Sequence, residues 1–247
     1  MTLPDINTVY DVIDGTWPAA DYVTSGPFTL RKGSGGGQRV AAATTARPVG
    51  EEEITAAETE MRRLNAGDQP PLFMIRAGQT DLDARLDARG YDIVDPVNLY
   101  ATPVDTLTTE PVPPVTAIPV WEPLAIMRDI WAAGGIGPGR LAVMERAPGP
   151  KTAIIARWND HPGGCGFVAI HDSIAMVHAL EILPHQRNQG LGKWMMRRAA
   201  FWARENGAHT LSVVCTQANQ GANALYASLG MTLVGQYHYR KLKEPKT

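Results

Sequence analysis

The chain has 247 residues, 44% of them hydrophobic and 19% charged, with a formal charge of −2. That balance suits a folded protein with a real core, as one large or two small domains. It excludes the basic footprint of a nucleic-acid or acidic-membrane binder, and no run of about 18 apolar residues offers a membrane span. The N-terminus, MTLPDINTVYDVID, is acidic and lacks the basic and apolar regions of a secretory leader, so a cytoplasmic location is expected. Cys165 and Cys215 each lie in a strand-like apolar run, which predicts buried free thiols, no disulfide and no metal site.

In chain order, the run GSGGG (33–37) lies between two strand-like stretches and reads as a flexible hairpin turn. Glu51, Glu52 and Glu53 mark a helix start, where acids suit the helix dipole, and the strand LFMI follows at 72–75. Residues 105–119 (DTLTTEPVPPVTAIP) carry four prolines and read as an extended connector. They divide the chain into 1–104, a linker 105–118, and 119–247. Helices are then predicted at about 122–134 and 138–147, with strands near 151–157, 165–171 and 174–183. A helix over 190–206 follows, its core face formed by Leu191, Met195, Ala199 and Trp202 at helical spacing. A strand at 210–216, a helix at 219–229 and a strand at 231–241 complete the chain.

Between the strand 174–183 and the helix 190–206 lies Arg187-Asn188-Gln189-Gly190-Leu191-Gly192-Lys193. Strand, glycine turn and helix N-terminus together make an anion cradle, because backbone N–H groups without intrahelical partners converge there and the helix dipole adds positive charge. A phosphate-bearing cofactor is therefore expected. A Walker loop needs Ser or Thr after the lysine, where Trp194 stands, and a dinucleotide fingerprint needs a third glycine, where Met195 stands. Downstream, Asn219-x-x-Ala222-x-x-Leu225-Tyr226 sets a tyrosine beside the cofactor. Lys193 is a further candidate for a phosphate contact, while Arg197 and Arg198 read more simply as a solvated face.

The loop, taken with Asn219, Ala222, Tyr226 and Gly230, resembles the acetyl-CoA-binding core of the GNAT N-acetyltransferase superfamily over about residues 165–240. Met231 stands where the family usually has Phe, and Gln189 where Gly is common; neither change removes a backbone donor. The resemblance implies an α/β (α+β) fold built on a mixed, mostly antiparallel sheet flanked by helices. It implies acetyl-CoA as co-substrate and direct acetyl transfer to a primary amine of a small molecule or peptide. It makes the amide of Leu180 the donor to the acyl carbonyl and sets Ile182 further along the cofactor arm. Arg187, Asn188, Gln189, Gly190, Leu191, Gly192, Lys193, Asn219 and Ala222 then surround the cofactor. Tyr226, a phenol protonated at neutral pH, is the candidate acid for the leaving thiolate. His178, in a run resembling the arylalkylamine acetyltransferases, and Glu181 are the candidate bases, with ordered water as a third option. Strict alternation sets His178 with Met176, Leu180 and Ile182, and Glu181 on the opposite face. Tyr237, His238 and Tyr239, with the helices 122–147, are candidates for the acceptor pocket. The rival reading is a non-catalytic acyl-CoA sensor; either would be a monomer or homodimer.

A shift of 140 positions aligns much of 1–104 with 119–247 without gaps. Arg47 to Glu52 falls on Arg187 to Gly192, Gly67 on Gly207, and LFMI on SVVC (212–215). Leu82, Leu86 and Gly90 fall on Ala222, Tyr226 and Gly230. This reads as a tandem repeat of one GNAT-like fold with a disarmed N-terminal copy. Glu52, at the position of Gly192, would repel a pyrophosphate, and Leu86, at the position of Tyr226, cannot donate a proton.

Overall fold

The computed structural model describes residues 2–64 and 70–243; Gly67 lies outside them. Helix α1 (Ile6–Thr16) is capped by Asp5, whose carboxylate accepts from the amides of Asn7 and Thr8. Strands β1 (Asp21–Ser25), β2 (Phe28–Lys32) and β3 (Thr44–Thr45) form a small antiparallel sheet. Helix α2 (Glu51–Leu64), β4 (Leu72–Ile75), α3 (Thr80–Ala88) and β5 (Tyr91–Pro103) follow. A short helix α4 (Val104–Leu107) leads to β6 (Ala117–Val120), α5 (Ala125–Ala133) and α6 (Pro138–Arg146). The meander β7 (Lys151–Trp158), β8 (His161–His171) and β9 (Ile174–Ile182) comes next. The chain ends with α7 (Leu191–Glu205), β10 (Thr210–Thr216), α8 (Gln220–Ser228) and β11 (Thr232–Leu242).

Three local expectations differ from what is found. The tight turn between β1 and β2 falls at Gly26–Pro27, so the GSGGG run is not that hairpin but the start of the long passage from β2 to β3. Strand β8 starts at His161, earlier than its apolar run suggests, because Gly164, Pro162 and His161 continue the ladder with β7 and Gly164 also pairs with Ile182 of β9. The stretch 105–118 is not wholly extended: α4 and the first residues of β6 fall within it.

The main sheet has eight strands in the order β4-β11-β5-β10-β9-β8-β7-β6. Strands β9 and β10 pair in parallel; the other neighbours pair antiparallel. The order interleaves the chain. Strand β5 lies between β10 and β11, and β11 lies between β4 and β5. One edge of β5 pairs with β10 from Pro103↔Thr210 to Val97↔Thr216, and the other with β11 from Ala101↔Thr232 to Tyr91↔Leu242. Its side chains serve both faces: Leu99 packs with Val97, Met74 and Tyr237, whereas Tyr100 packs among α7 and α8 residues. Elements also recur about 140 positions apart, with α2 matched by α7, β4 by β10, α3 by α8 and β5 by β11.

The connector is tied to α7. Arg197 donates to the carbonyl of Leu107 at 3.1 Å and pairs with Glu110, and Arg198 donates to the carbonyl of Ala117 at 3.0 Å. Arg204 donates to Thr108 Oγ1 at 2.9 Å. These arginines hold the 104–117 segment, which removes Arg197 and Arg198 from both the solvated face and the phosphate. Among the described residues no helix is long and apolar enough to cross a membrane.

A fragment of residues 105–247 would lack β5, leaving facing edges of β10 and β11 without ladder partners. It should show no cooperative thermal transition alone and should regain one when mixed with residues 1–104. A cooperative melt of the isolated fragment at the full-length temperature would contradict this.

Candidate active site

Strand β9 begins as the apolar run Ile174–Val177, and its parallel ladder with β10 ends at Val177↔Val213. Both strands run on, β9 to Ile182 and β10 to Thr216, so they part and open a wedge. At the parting point β9 carries a bulge: Ala179 and Leu180 together oppose Gly166, between the pairs Phe167↔His178 and Cys165↔Glu181. Ala179 has φ 49°, and its carbonyl accepts a hydrogen bond at 2.8 Å from Nε1 of the buried Trp131.

The extra residue corrects the alternation expected along this strand. Leu180 and Ile182 pack toward α7 with Val177, while Ala179 and Leu183 pack on the opposite side with Trp131 and Phe167. The carboxyl of Glu181 lies against Gly134 at the end of α5, where a Cβ would sit 2.8 Å from Cδ. His178 and Glu181 therefore come to one side of the sheet, and His178 is separated from Leu180 and Ile182.

His178 is buried, stacked on Trp17 with ring centroids 4.8 Å apart. Its Nδ1 lies 2.9 Å from Arg39 Nη1 and its Nε2 lies 2.8 Å from Thr16 Oγ1. A guanidinium only donates, so Nδ1 accepts and the ring proton sits on Nε2, donated to Thr16, whose hydroxyl donates to the carbonyl of Val12. Burial, and then the charge of Arg39, hold the imidazole well below its usual pKa. The ring is neutral and both nitrogens are engaged.

Beyond the wedge, Arg187 folds back on β9, with Nε donating to the carbonyl of Ile182 at 3.1 Å and Nη2 to Glu181 Oε1 at 3.3 Å. Asn188 and Gly190 take left-handed backbone angles, φ 61° and 77°, which turn the chain into α7. Gly190 caps that helix with no side-chain acceptor, and the first intrahelical bond runs from the amide of Trp194 to Gly190. The amides of Leu191, Gly192 and Lys193 thus have no intrahelical partner. Gln189 and Lys193 are exposed beside them. A Cβ on Gly192 would lie 3.0 Å from Leu225 Cδ2, so this glycine lets α7 and α8 approach. Asn219 caps α8, its Oδ1 accepting from the amide of Ala222 at 3.1 Å.

Tyr226 is 3% exposed, its ring 5.7 Å from that of Tyr100 on β5. Burial, then proximity to Cys215 and Tyr100, push the phenol well above its usual value. Beside Tyr100, Asn223 of α8, which the motif does not assign, forms a hub. Its Oδ1 accepts from Asn98 Nδ2 at 2.7 Å and from the Tyr100 hydroxyl at 2.9 Å; its Nδ2 donates to the carbonyls of Thr216 and Asn219. The 140-position alignment holds a signal for it. Asp83, 140 positions earlier, accepts from His238 and Arg240, the counterparts of Asn98 and Tyr100.

A cavity of about 310 Å³ opens at the wedge. His178, Ala179, Cys215 and Thr216 line it on the side of the parted strands, and Tyr237 and Tyr239 come from β11. His238 points away to Asp83, as alternation along a strand requires. The opposite wall comes from the first half: Trp17, Gly36 to Arg39, and Asp95, with Arg140 of α6 closing it. The GSGGG run is thus part of this wall. Its Gly35 backbone lies so close to Gly139 that a Cβ on Gly139 would overlap it. Nothing in the motif signals Thr16, Trp17 or Arg39, which reach the site through the fold.

The corresponding place in the first half is built differently. Strands β3 and β4 diverge after the parallel bridge Ala43↔Phe73, and Gln79 spans the gap, with Nε2 donating to the carbonyl of Thr45 at 2.6 Å and Oε1 accepting from the amide of Arg76 at 2.8 Å. Its counterpart 140 positions on, Asn219, only caps a helix. Leu86, at the position of Tyr226, is fully buried in the core of that half. Among the described residues no group of three His, Cys, Asp or Glu side chains could hold a metal ion.

The acetyltransferase (GNAT) family profile matches residues 124–231. A Bacillus subtilis protein carrying the name uncharacterized N-acetyltransferase YobR is 22% identical over 245 residues, covering 96% of this chain and 99% of that one. The structure of a GCN5-related N-acetyltransferase from Kribbella flavida superposes with a TM-score of 0.73 at 20% identity, covering 100% of this chain and 98% of the other. A conserved protein of Staphylococcus epidermidis superposes with a TM-score of 0.67 at 15% identity over 94% and 96% of the two chains. These structures share the fold.

Because the folded protein holds His178 neutral below its ordinary pKa of 6.5, the unfolded chain binds the extra proton first as pH falls. The contribution of this site is intact above pH 6.5 and is lost progressively below it. Melting temperature should therefore drop from pH 7 to pH 5, less steeply in His178→Gln. An imidazole NMR signal from His178 titrating near pH 6.5 would refute the assignment.

Proposed function

We propose that the protein, whose residues 124–231 match the acetyltransferase (GNAT) family, moves an acetyl group from acetyl-CoA directly to a primary amine of a small molecule. One observation carries the reading: strands β9 and β10 part beside an open helix N-terminus, and a buried, protonated tyrosine stands near Cys215 of the parted strand β10. The amides around Gln189 to Lys193, with Lys193 itself, receive the pyrophosphate. The pantetheine arm follows β9 past Ile182 to Leu180, with Asn219 and Ala222 on the α8 side.

The bulge leaves backbone groups of Ala179–Leu180 outside the ladder with β8. We assign the Leu180 amide as the donor to the acyl oxygen, where negative charge develops as the amine adds. The new C–N bond forms, the tetrahedral centre collapses, and the C–S bond breaks. The departing thiolate takes the phenolic proton of Tyr226, which burial keeps in place until that moment. The proton lost by the amine passes through water to Glu181, which the bulge turns to the side of His178. His178, with both nitrogens occupied, acts as a positioning residue between Thr16 and Arg39. Burial pushes the thiol of Cys215, at the wedge, up to about 11; it stays protonated, which favours direct transfer over a covalent enzyme intermediate.

The first half is read as a second GNAT-like copy that supports the site without chemistry of its own, since Gln79 spans its wedge and Leu86 replaces the acid. The two free thiols suit a reducing cytoplasm.

Tyr226→Phe should lower kcat by roughly 100-fold or more while acetyl-CoA affinity measured by isothermal titration stays unchanged. Gly190→Glu should abolish that affinity, because it forces a side chain into a φ of 77° and adds an anion beside the pyrophosphate. Full turnover in Tyr226→Phe would remove the acid assignment, and tight acetyl-CoA binding without turnover of any amine would favour a sensor.

A further inference from the structure

The cavity beside the wedge has a charge pattern that the transfer reaction by itself does not require. Arg39 reaches into it over the Trp17 ring, its Cζ 5.7 Å from the centroid, and donates one hydrogen bond to His178. Its Nε is buried with no partner. Arg140 enters from α6, its Nε 3.2 Å from where a Cβ of Gly37 would be, so the glycine makes room for the guanidinium. Among the described residues neither has a carboxylate within salt-bridge reach. Arg31, Arg76 and Arg240 provide the contrast: Asp14, Asp14 and Asp83 neutralise them at 3.0, 2.8 and 2.7 Å. A guanidinium withdrawn from water without an anion is expensive, and its planar fork fits a carboxylate on two atoms.

Resting on the transfer reading above, we propose that the acceptor is a free α-amino acid whose carboxylate is held by Arg39 and Arg140. The amine then points to the wedge mouth, where Ala179 and Cys215 stand on the two parted strands. Asp95, the carboxylate lining the cavity, is exposed at a left-handed bend of β5 with φ 44° and attracts the ammonium at the rim. A volume of about 310 Å³ suits one amino acid and not an extended peptide, lying at the low end of the roughly 300–1,000 Å³ of small-molecule sites.

The test is direct binding to the full-length protein, by isothermal titration, of the common α-amino acids, each paired with its carboxamide. At least one amino acid should bind roughly 10-fold or more tightly than its amide, the difference a charge-assisted carboxylate contact supplies. Arg140→Gln should erase that preference and Arg140→Lys should retain part of it, with melting temperatures matching the wild type. Equal binding of amides, no binding by any amino acid, or a preference that survives Arg140→Gln would each overturn the proposal. Tighter binding of O-phosphoethanolamine than of every amino acid would reassign the arginines to a phosphate and overturn it too. Thiol release from acetyl-CoA over the same panel reads the transfer reaction separately: amino acids that bind by this pattern but are not acetylated would refute transfer and leave the carboxylate site standing.

Discussion

Strand β5 forms backbone ladders on both of its edges, and the rest of the molecule depends on that double pairing. Strands β10 and β11 follow each other through α8, yet they do not touch; Tyr91–Pro103 fills the space between them. In return β11 fills the space between β4 and β5. Each half supplies the strand that the other lacks, so no line through the sheet divides the protein into two independently paired units. Because β5 also carries Tyr100 and Asn98, the exchange that satisfies the backbone delivers side chains to α8 beside the proposed acid.

Positions 140 residues apart make different contacts. Asp83 and Asn223 both fasten a helix to the exchanged strand, one through charges and the other through a neutral network. Gln79 spends its amide across a pair of diverging strands, whereas Asn219 leaves the equivalent gap open. The first half is more than a remnant, because its helix α1 and glycine passage supply Thr16, Trp17 and Arg39 around His178. Residues of both parts of the chain line the same cavity, Trp17 and Arg39 from the first and His178 and Cys215 from the second.

Much of this was legible in the sequence. Helical spacing of Leu191, Met195 and Ala199 located α7, and the glycine turn located its open N-terminus, because both depend on local backbone geometry. The bulge at Ala179 was not legible: neither glycine nor proline marks it, and it is held by a tertiary bond from Trp131, 48 residues away. That bond is why Glu181 and His178 share a side against the alternation rule. The setting of His178 was equally hidden, since Thr16 and Arg39 lie 162 and 139 residues distant. The arginines of α7 looked like a solvated face because their partners are backbone carbonyls, which no charge pattern reveals.

The place of β11 also has a consequence for synthesis. Strands β4 and β5 leave the ribosome well before their common neighbour, Thr232–Leu242. Until it arrives, two strand edges stand unpaired on a nascent chain, the arrangement most prone to stick to another copy. Completion of the sheet therefore waits for Thr232–Leu242, and the long sequence separation of these contacts makes that closing step a slow one.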